Sequence, residues 1–157
     1  MKNKLNIVNA IVNTSVSVLI LILSLFESFG EHKHYSRGYT IYGYYIPGDE
    51  SYYDISMIGT IEFNYFDGVC VVVVLTVLAA IIAFSWLSFA KEYDFSIFNI
   101  VFSSIGLFFT IALCIIGCSD GTIYELYGLA YVIMVFEAIL VALTVIQRTS
   151  YLKSLRV

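Results

Sequence analysis

The stretch Leu126-Tyr-Gly-Leu-Ala-Tyr-Val-Ile-Met-Val-Phe-Glu-Ala-Ile-Leu-Val-Ala-Leu-Thr-Val-Ile146 is apolar for 21 residues except for one acid, Glu137. About 20 apolar residues in a helix cross roughly 30 Å of hydrocarbon, so the length alone marks a candidate membrane span. Three further blocks have the same character: residues 5–26, 69–90 and 97–118. None of the four contains Lys or Arg. In hydrocarbon each segment must satisfy its own backbone, so all four are expected to be helices. The expected fold is an all-α membrane protein of one domain, residues 1–157: an antiparallel four-helix transmembrane bundle with an outer loop at 27–68.

Composition agrees. The 157 residues are 60% hydrophobic and 13% charged, where a soluble domain is nearer half and a quarter. Lys2 and Lys4 precede the first block. That block is too long for a signal peptide, and no small-x-small cleavage site follows, so it reads as an uncleaved span. Lys2, Lys4, Lys91, Arg148, Lys153 and Arg156 fall on one side, while the 27–68 loop sets Lys33 and Arg37 against seven acids. The positive-inside rule then expects both termini in the cytoplasm, and the loop outside a plasma membrane. The net charge of −4 offers no basic surface for nucleic acid.

The loop holds eight of the thirteen Tyr. Its runs 39–46 and 52–58, separated by Pro47-Gly48, read as a β-hairpin, and the alternating run 60–66 as a third strand. Tyr39, Tyr42, Tyr44, Tyr45, Tyr52 and Tyr53 form a candidate recognition surface. Tyr pairs a large apolar ring with a polar tip, which suits partner surfaces and membrane interfaces alike.

At 100° per residue, Asn6, Asn9, Asn13, Ser17 and Ser24 share one face of the first span. Asn99, Ser103, Gly106, Thr110 and Gly117 share a face of the third. Ala130, Glu137, Val141 and Thr144 share one of the fourth, and the small residues Thr76, Ala79, Ala80 and Ala83 one of the second. Small and hydroxyl residues let membrane helices approach and bond, so the four faces are expected to meet on the bundle axis. Counting inward from the block ends places Glu137 level with Asn13 and Gly106, within reach of the Asn13 amide. A mid-span carboxyl is costly and marks a functional site by default. Three roles are open to it: a neutral acid locking the bundle, a proton- or cation-linked transport site, or an acid awaiting a partner's Lys or Arg. Asn9, Asn13, Ser17, Ser103 and Thr110 complete this candidate polar site.

Cys70 and Cys118 both fall at outer span ends and form a candidate disulfide. The cluster Glu31-His32-Lys33-His34 resembles a metal site only weakly, so no metal is expected and no cofactor is implied. No nucleophile elbow, phosphate loop or His-Glu metal helix is present, and the hydroxyls in the spans lack a nearby base, so no enzyme activity is expected. The tail 147–157 reads as a continuation of the fourth helix, its cations set to meet anionic headgroups.

The layout of four spans, cytoplasmic termini and a long first outer loop with strand character resembles the claudin-type tetraspan arrangement in topology. The loop signature of that family, a Trp and Gly-Leu-Trp followed by two Cys, is absent. Trp86 is the sole Trp and lies in the second span, and the loop has no Cys. Shared architecture does not carry function. The functional expectation is therefore drawn from the residues. It is a non-enzymatic accessory or interaction subunit, in contact with lipid and with other membrane subunits or a second copy, the alternative being a small oligomeric transporter or channel subunit.

Overall fold

The computed structural model describes residues 2–26, 28–62, 64–91, 94–121 and 123–154. The chain is mostly helical: α1 (Lys2–Leu23), α2 (Tyr65–Lys91), α3 (Ser96–Asp120) and α4 (Gly128–Ser154). All four are long and apolar enough to cross a membrane. The 27 residues of α2 and of α4 give each a length of about 40 Å. Each helix packs on its neighbour in sequence, and α1 also packs on α4, which closes the ring. One end of the bundle carries the long α1–α2 loop and the α3–α4 turn (the loop end). The other carries the start of α1, the α2–α3 turn and the end of α4 (the terminal end). The fourth helix runs well past Ile146, as far as Ser154; residues 155–157 lie outside the described residues.

Helix starts follow from local side-chain bonds. The Asn64 carboxamide accepts from Phe66 N–H at 3.1 Å, so α2 begins at Tyr65, ahead of its apolar block. Asp94 accepts from Ser96 N–H at 3.0 Å and from the Ser96 hydroxyl at 2.5 Å, setting the entry to α3. At the far end of α3, Ile123 folds back and donates its N–H to the Gly117 carbonyl at 2.9 Å. A Cβ at Gly117 would come within 2.7 Å of the Ile123 side chain, so any larger residue there requires that side chain to shift.

Between the ends runs one apolar cluster. Ile20, Val74, Leu78, Ile81, Leu113, Ile133 and Leu140 fill the bundle, and Phe29, Met57, Val71 and Ile123 seal its loop end. Burial of a Leu- or Ile-sized side chain contributes about 1.5–3 kcal/mol in water.

Facing corrects the sequence reading of α2. Thr76, Ala79 and Ala83 point outward, and the inward face is Cys70, Val71, Val74, Val77, Leu78, Ile81 and Ser85. This helix is apolar all round, so small residues alone do not fix its rotation. Ser85 does. It lies about 160° round from Ala83 and is drawn inward by two amide donors, Asn13 and Asn99.

The loop folds into two small sheets. Strands β1 (Gly30–Tyr35), β4 (Glu50–Ile55) and β5 (Glu125–Leu126) form an antiparallel sheet in the order β4-β1-β5. Strands β2 (Tyr39–Ile41) and β3 (Tyr44–Ile46) form a separate hairpin. Its turn is Tyr42-Gly43, with φ of 51° and 83°. Two positive φ values are what a two-residue type I′ turn requires, with Gly as the usual second residue. Ser36 and Asp49 clasp the hairpin's base through three bonds of 2.7–3.0 Å.

Two strand expectations are thereby corrected. Pro47-Gly48 does not turn one hairpin strand onto 52–58, because β4 pairs instead with β1, Gly30 opposite Ile55 and Tyr35 opposite Glu50. The polar run Gly30–Tyr35 carries no alternation of its own. Pairing on both edges stabilises it, with Lys33 bonded to Glu50 at 2.8 Å and set 5.4–5.5 Å from the Tyr52 and Tyr124 rings. The run 60–66 is not a third strand. Ile58–Glu62 is a 3-10 turn, closed by Gly59 N–H to Ser56 Oγ at 2.9 Å and Thr60 Oγ1 to the Met57 carbonyl at 2.8 Å. Such short-range side-chain bonds compete with strand pairing.

The Tyr127 hydroxyl donates to Asp54 at 3.0 Å, pinning the sheet to the start of α4. That hydrogen bond holds the phenol above its ordinary 10.0, up to about 12. A raised folded pKa means the pin holds in full below pH about 10 and is lost as pH rises through about 12. In difference absorbance at 295 nm between wild type and Tyr127→Phe, the Tyr127 ionisation is expected near pH 12. A step near pH 10 removes the pin.

Candidate functional site

Amides and hydroxyls in an apolar bundle leave the axis only at a cost, since each unpaired polar group in such a setting loses several kcal/mol. Here they gather in layers. The first lies at the terminal end and involves all four helices. The Asn13 amide of α1 donates to Ser85 Oγ of α2 at 2.8 Å and to Gln147 Oε1 of α4 at 3.1 Å. Gln147 returns the bond, Nε2 to Asn13 Oδ1, at 2.9 Å. The Asn99 amide of α3 donates to the same Ser85 Oγ at 3.0 Å. Asn13, Ser85 and Asn99 are all buried.

This layer floors a vestibule of about 30 Å³ opening at the terminal end. Asn6 and Asn9 line one wall and Ser88 another; Asp94, Ser96 and Tyr151 stand toward the mouth. Asn6 is fixed by a bond to the Ser88 carbonyl at 3.3 Å. The Asn9 side chain makes no hydrogen bond among the described residues. Arg148 pairs with Asp94, tying α4 to the α2–α3 turn.

The second layer is Ser103 with Thr144, 3.2 Å apart. Ser17 is fully buried, and its hydroxyl finds no partner among the described residues. The third layer is Thr110 with Glu137, where the hydroxyl donates to Oε1 at 2.9 Å. Glu137 is 2% exposed, and its Oε2 has no hydrogen-bond partner among the described residues. Seven helical residues separate each member of this layer from the second, or about 10 Å. Gly106 and Leu140 occupy the interval, both buried.

Glu137 therefore does not meet Asn13. Asn13 is level with Gln147, and Glu137 is ten residues nearer the loop end, about 15 Å along the axis. Counting from the ends of the apolar blocks failed because α4 keeps facing inward beyond them, through Gln147 to Tyr151. Gln147 lies only about 60° round the helix from Thr144, the signal that would have placed it inside. Ser85 and the Asp94–Arg148 pair were missed likewise. The acid reaches Thr110 of its own chain and is buried within the bundle.

Cys70 and Cys118 form no disulfide. Cys70 is buried on the inward face of α2, while Cys118, next to inward-facing Gly117, is exposed. Cys114 is buried on α3, one turn from Thr110 and within electrostatic range of Glu137.

The tyrosines sit elsewhere, at the loop end. Tyr42, Tyr44 and Tyr45 on the hairpin are 96%, 79% and 71% exposed. Tyr39 is part of β2, but its side chain lies outside those described. Tyr52 and Tyr53 on β4 are partly exposed, Tyr52 packing edge-on against Tyr124 at 5.3 Å and Tyr53 lying 6.4 Å from His34. No family model, curated protein or solved structure matches this chain.

The first layer makes a clear thermodynamic prediction. Asn13→Leu leaves Gln147 without its reciprocal amide and is expected to cost about 1–3 kcal/mol. The double variant Asn13→Leu/Gln147→Leu removes both halves and is expected to cost less than the two single changes summed. Denaturation of the four proteins in one detergent measures this, and strict additivity contradicts the reciprocal pair.

Proposed function

We propose that this chain is a multi-pass integral membrane protein that acts without catalysis as an accessory or interaction subunit, engaging its partner through the tyrosine hairpin. The hairpin carries the reading. Ile41, Tyr44, Tyr45 and Ile46 on three-residue strands, and Tyr42 in the turn between them, are all at least 40% exposed. A small exposed aromatic cluster of this kind is a recognised mark of an interaction site, and Tyr is enriched among residues that dominate binding energy. The hairpin is also braced, by the Ser36–Asp49 clasp and the three-stranded sheet beneath it, so little ordering is needed on binding.

Four apolar helices support the membrane setting. The excess of Lys and Arg at the terminal end supports cytoplasmic termini and an outward-facing hairpin at the plasma membrane. The partner is a second membrane subunit or another copy of this chain. The bundle's apolar seal at the loop end, formed by Phe29, Met57, Val71 and Ile123, argues against a pore through a single copy.

Glu137 favours a second reading, a proton- or cation-linked site in an oligomeric transporter. Its support is one specific feature, a buried carboxyl oxygen with no hydrogen-bond partner among the described residues.

Two variants separate these readings. Tyr42→Ser/Tyr44→Ser/Tyr45→Ser changes exposed side chains only and is expected to shift stability by less than about 0.5 kcal/mol each. On the first reading, mild-detergent mass measurement shows the native complex reduced to the lone chain by this triple change and left intact by Glu137→Gln. A complex untouched by the triple change sinks it. Ion or proton flux in proteoliposomes that vanishes in Glu137→Gln selects the second.

A further inference from the structure

The vestibule at the terminal end has the makings of a ligand site separate from both the hairpin and Glu137. Among the described residues, every side chain lining it ends in an amide, a hydroxyl or a carboxylate, and none is cationic. Its buried floor presents one unsatisfied atom, the Asn99 carbonyl oxygen, on a residue 4% exposed. The Asn99 amide is spent on Ser85, so what remains to be satisfied is an acceptor. Asn9 faces the same space with no side-chain hydrogen bond among the described residues, and Asn6, whose amide is spent on Ser88, adds a third side-chain oxygen. A volume of about 30 Å³ has room for roughly one or two water-sized guests.

We infer that the vestibule binds a single small alkali cation, held by the amide oxygens of Asn99, Asn9 and Asn6, with water completing its shell at the open mouth. Oxygen donors of this kind suit hard cations, and neutral carbonyl oxygens are known to replace the hydration shell of a monovalent ion. A divalent ion is disfavoured by charge. Among the described residues the one carboxylate in the lining is Asp94, and Arg148 already balances it, so a second positive charge would stay uncompensated by them in a half-buried site. An anion would meet no cationic side chain among the described lining residues.

The chain supplies its own reporter. Trp86, the sole Trp, follows Ser85 directly, and its indole N–H donates to Thr14 of α1 at 3.0 Å. The full chain, in nanodiscs of phosphatidylcholine, is titrated with NaCl, KCl or LiCl in exchange for choline chloride at constant ionic strength. A saturable change in Trp86 emission with at least one alkali ion is expected, together with a rise in the unfolding midpoint. Asn99→Leu and Asn9→Ala are each expected to weaken the apparent affinity about tenfold or more. If Asn99→Leu fails to fold, Asn9→Ala decides alone, since the Asn9 side chain bonds to nothing among the described residues. Alkali ions that act no differently from choline leave the vestibule to water and overturn the proposal. So does an alkali response that Asn9→Ala leaves unchanged, because the ion is then bound elsewhere.

Discussion

The reciprocal amide pair between Asn13 and Gln147 is the contact on which the arrangement of helices depends. Apolar side chains pack well in many registers, and four apolar helices could slide past one another at little cost. An amide cannot, because it needs a donor and an acceptor at fixed places. Asn13 fixes α1 against α4 through two bonds. Its second donor bond recruits Ser85 of α2, and Ser85 is shared with Asn99 of α3. One layer thus sets the axial level of all four helices and the rotation of α2. The Ser103–Thr144 contact follows about one turn further along α3 and α4, and the Thr110–Glu137 contact two turns beyond that.

That register divides the molecule into unlike halves. The terminal half is polar along its axis and open to a vestibule. The loop half is capped by the apolar side chains of Phe29, Met57 and Ile123. The capping explains why so polar a loop can sit rigidly on the bundle. Phe29 N–H bonds the Ile55 carbonyl, and Tyr127 N–H bonds the Phe29 carbonyl, so a fully buried core residue also joins β4 to the start of α4. Above this base β1 needs no apolar face of its own, and the hairpin can project with its aromatic side chains free.

Much of this was legible in the sequence, and the failures have physical causes. The four helices are written in block length. The inward faces of α1, α3 and α4 are written in polar residues at helical spacing, and Asn13, Ser17, Ser103, Thr110 and Glu137 are all buried on those faces. The inward face of α2 was not legible, because a helix apolar on every side has no preferred rotation until a partner supplies one. Axial levels were misjudged, since the end of an apolar block is not the end of a helix that continues inward-facing through Gln147. In the loop, the Tyr- and Ile-rich runs gave away two strands. Their pairing depended on the polar β1, whose partners on both sides come from distant parts of the chain.

Glu137 is reached from neither half. Toward the terminal end, Leu140 and Gly106 separate it from the Ser103–Thr144 layer. Toward the loop end, Ile133, Leu113 and Cys114 close over it, all buried. Among the described residues its side chain bonds to Thr110, joining α4 to α3. An ion or proton exchanging at Glu137 would therefore have to part these two helices, against the packing that defines the core and the Ser103–Thr144 contact below it. A role through the hairpin demands no such movement, because the surface it uses is already outside. The difference in cost separates the two functional readings. A transport role needs a second, opened state of the bundle, whereas an interaction role is available to the closed bundle as it stands.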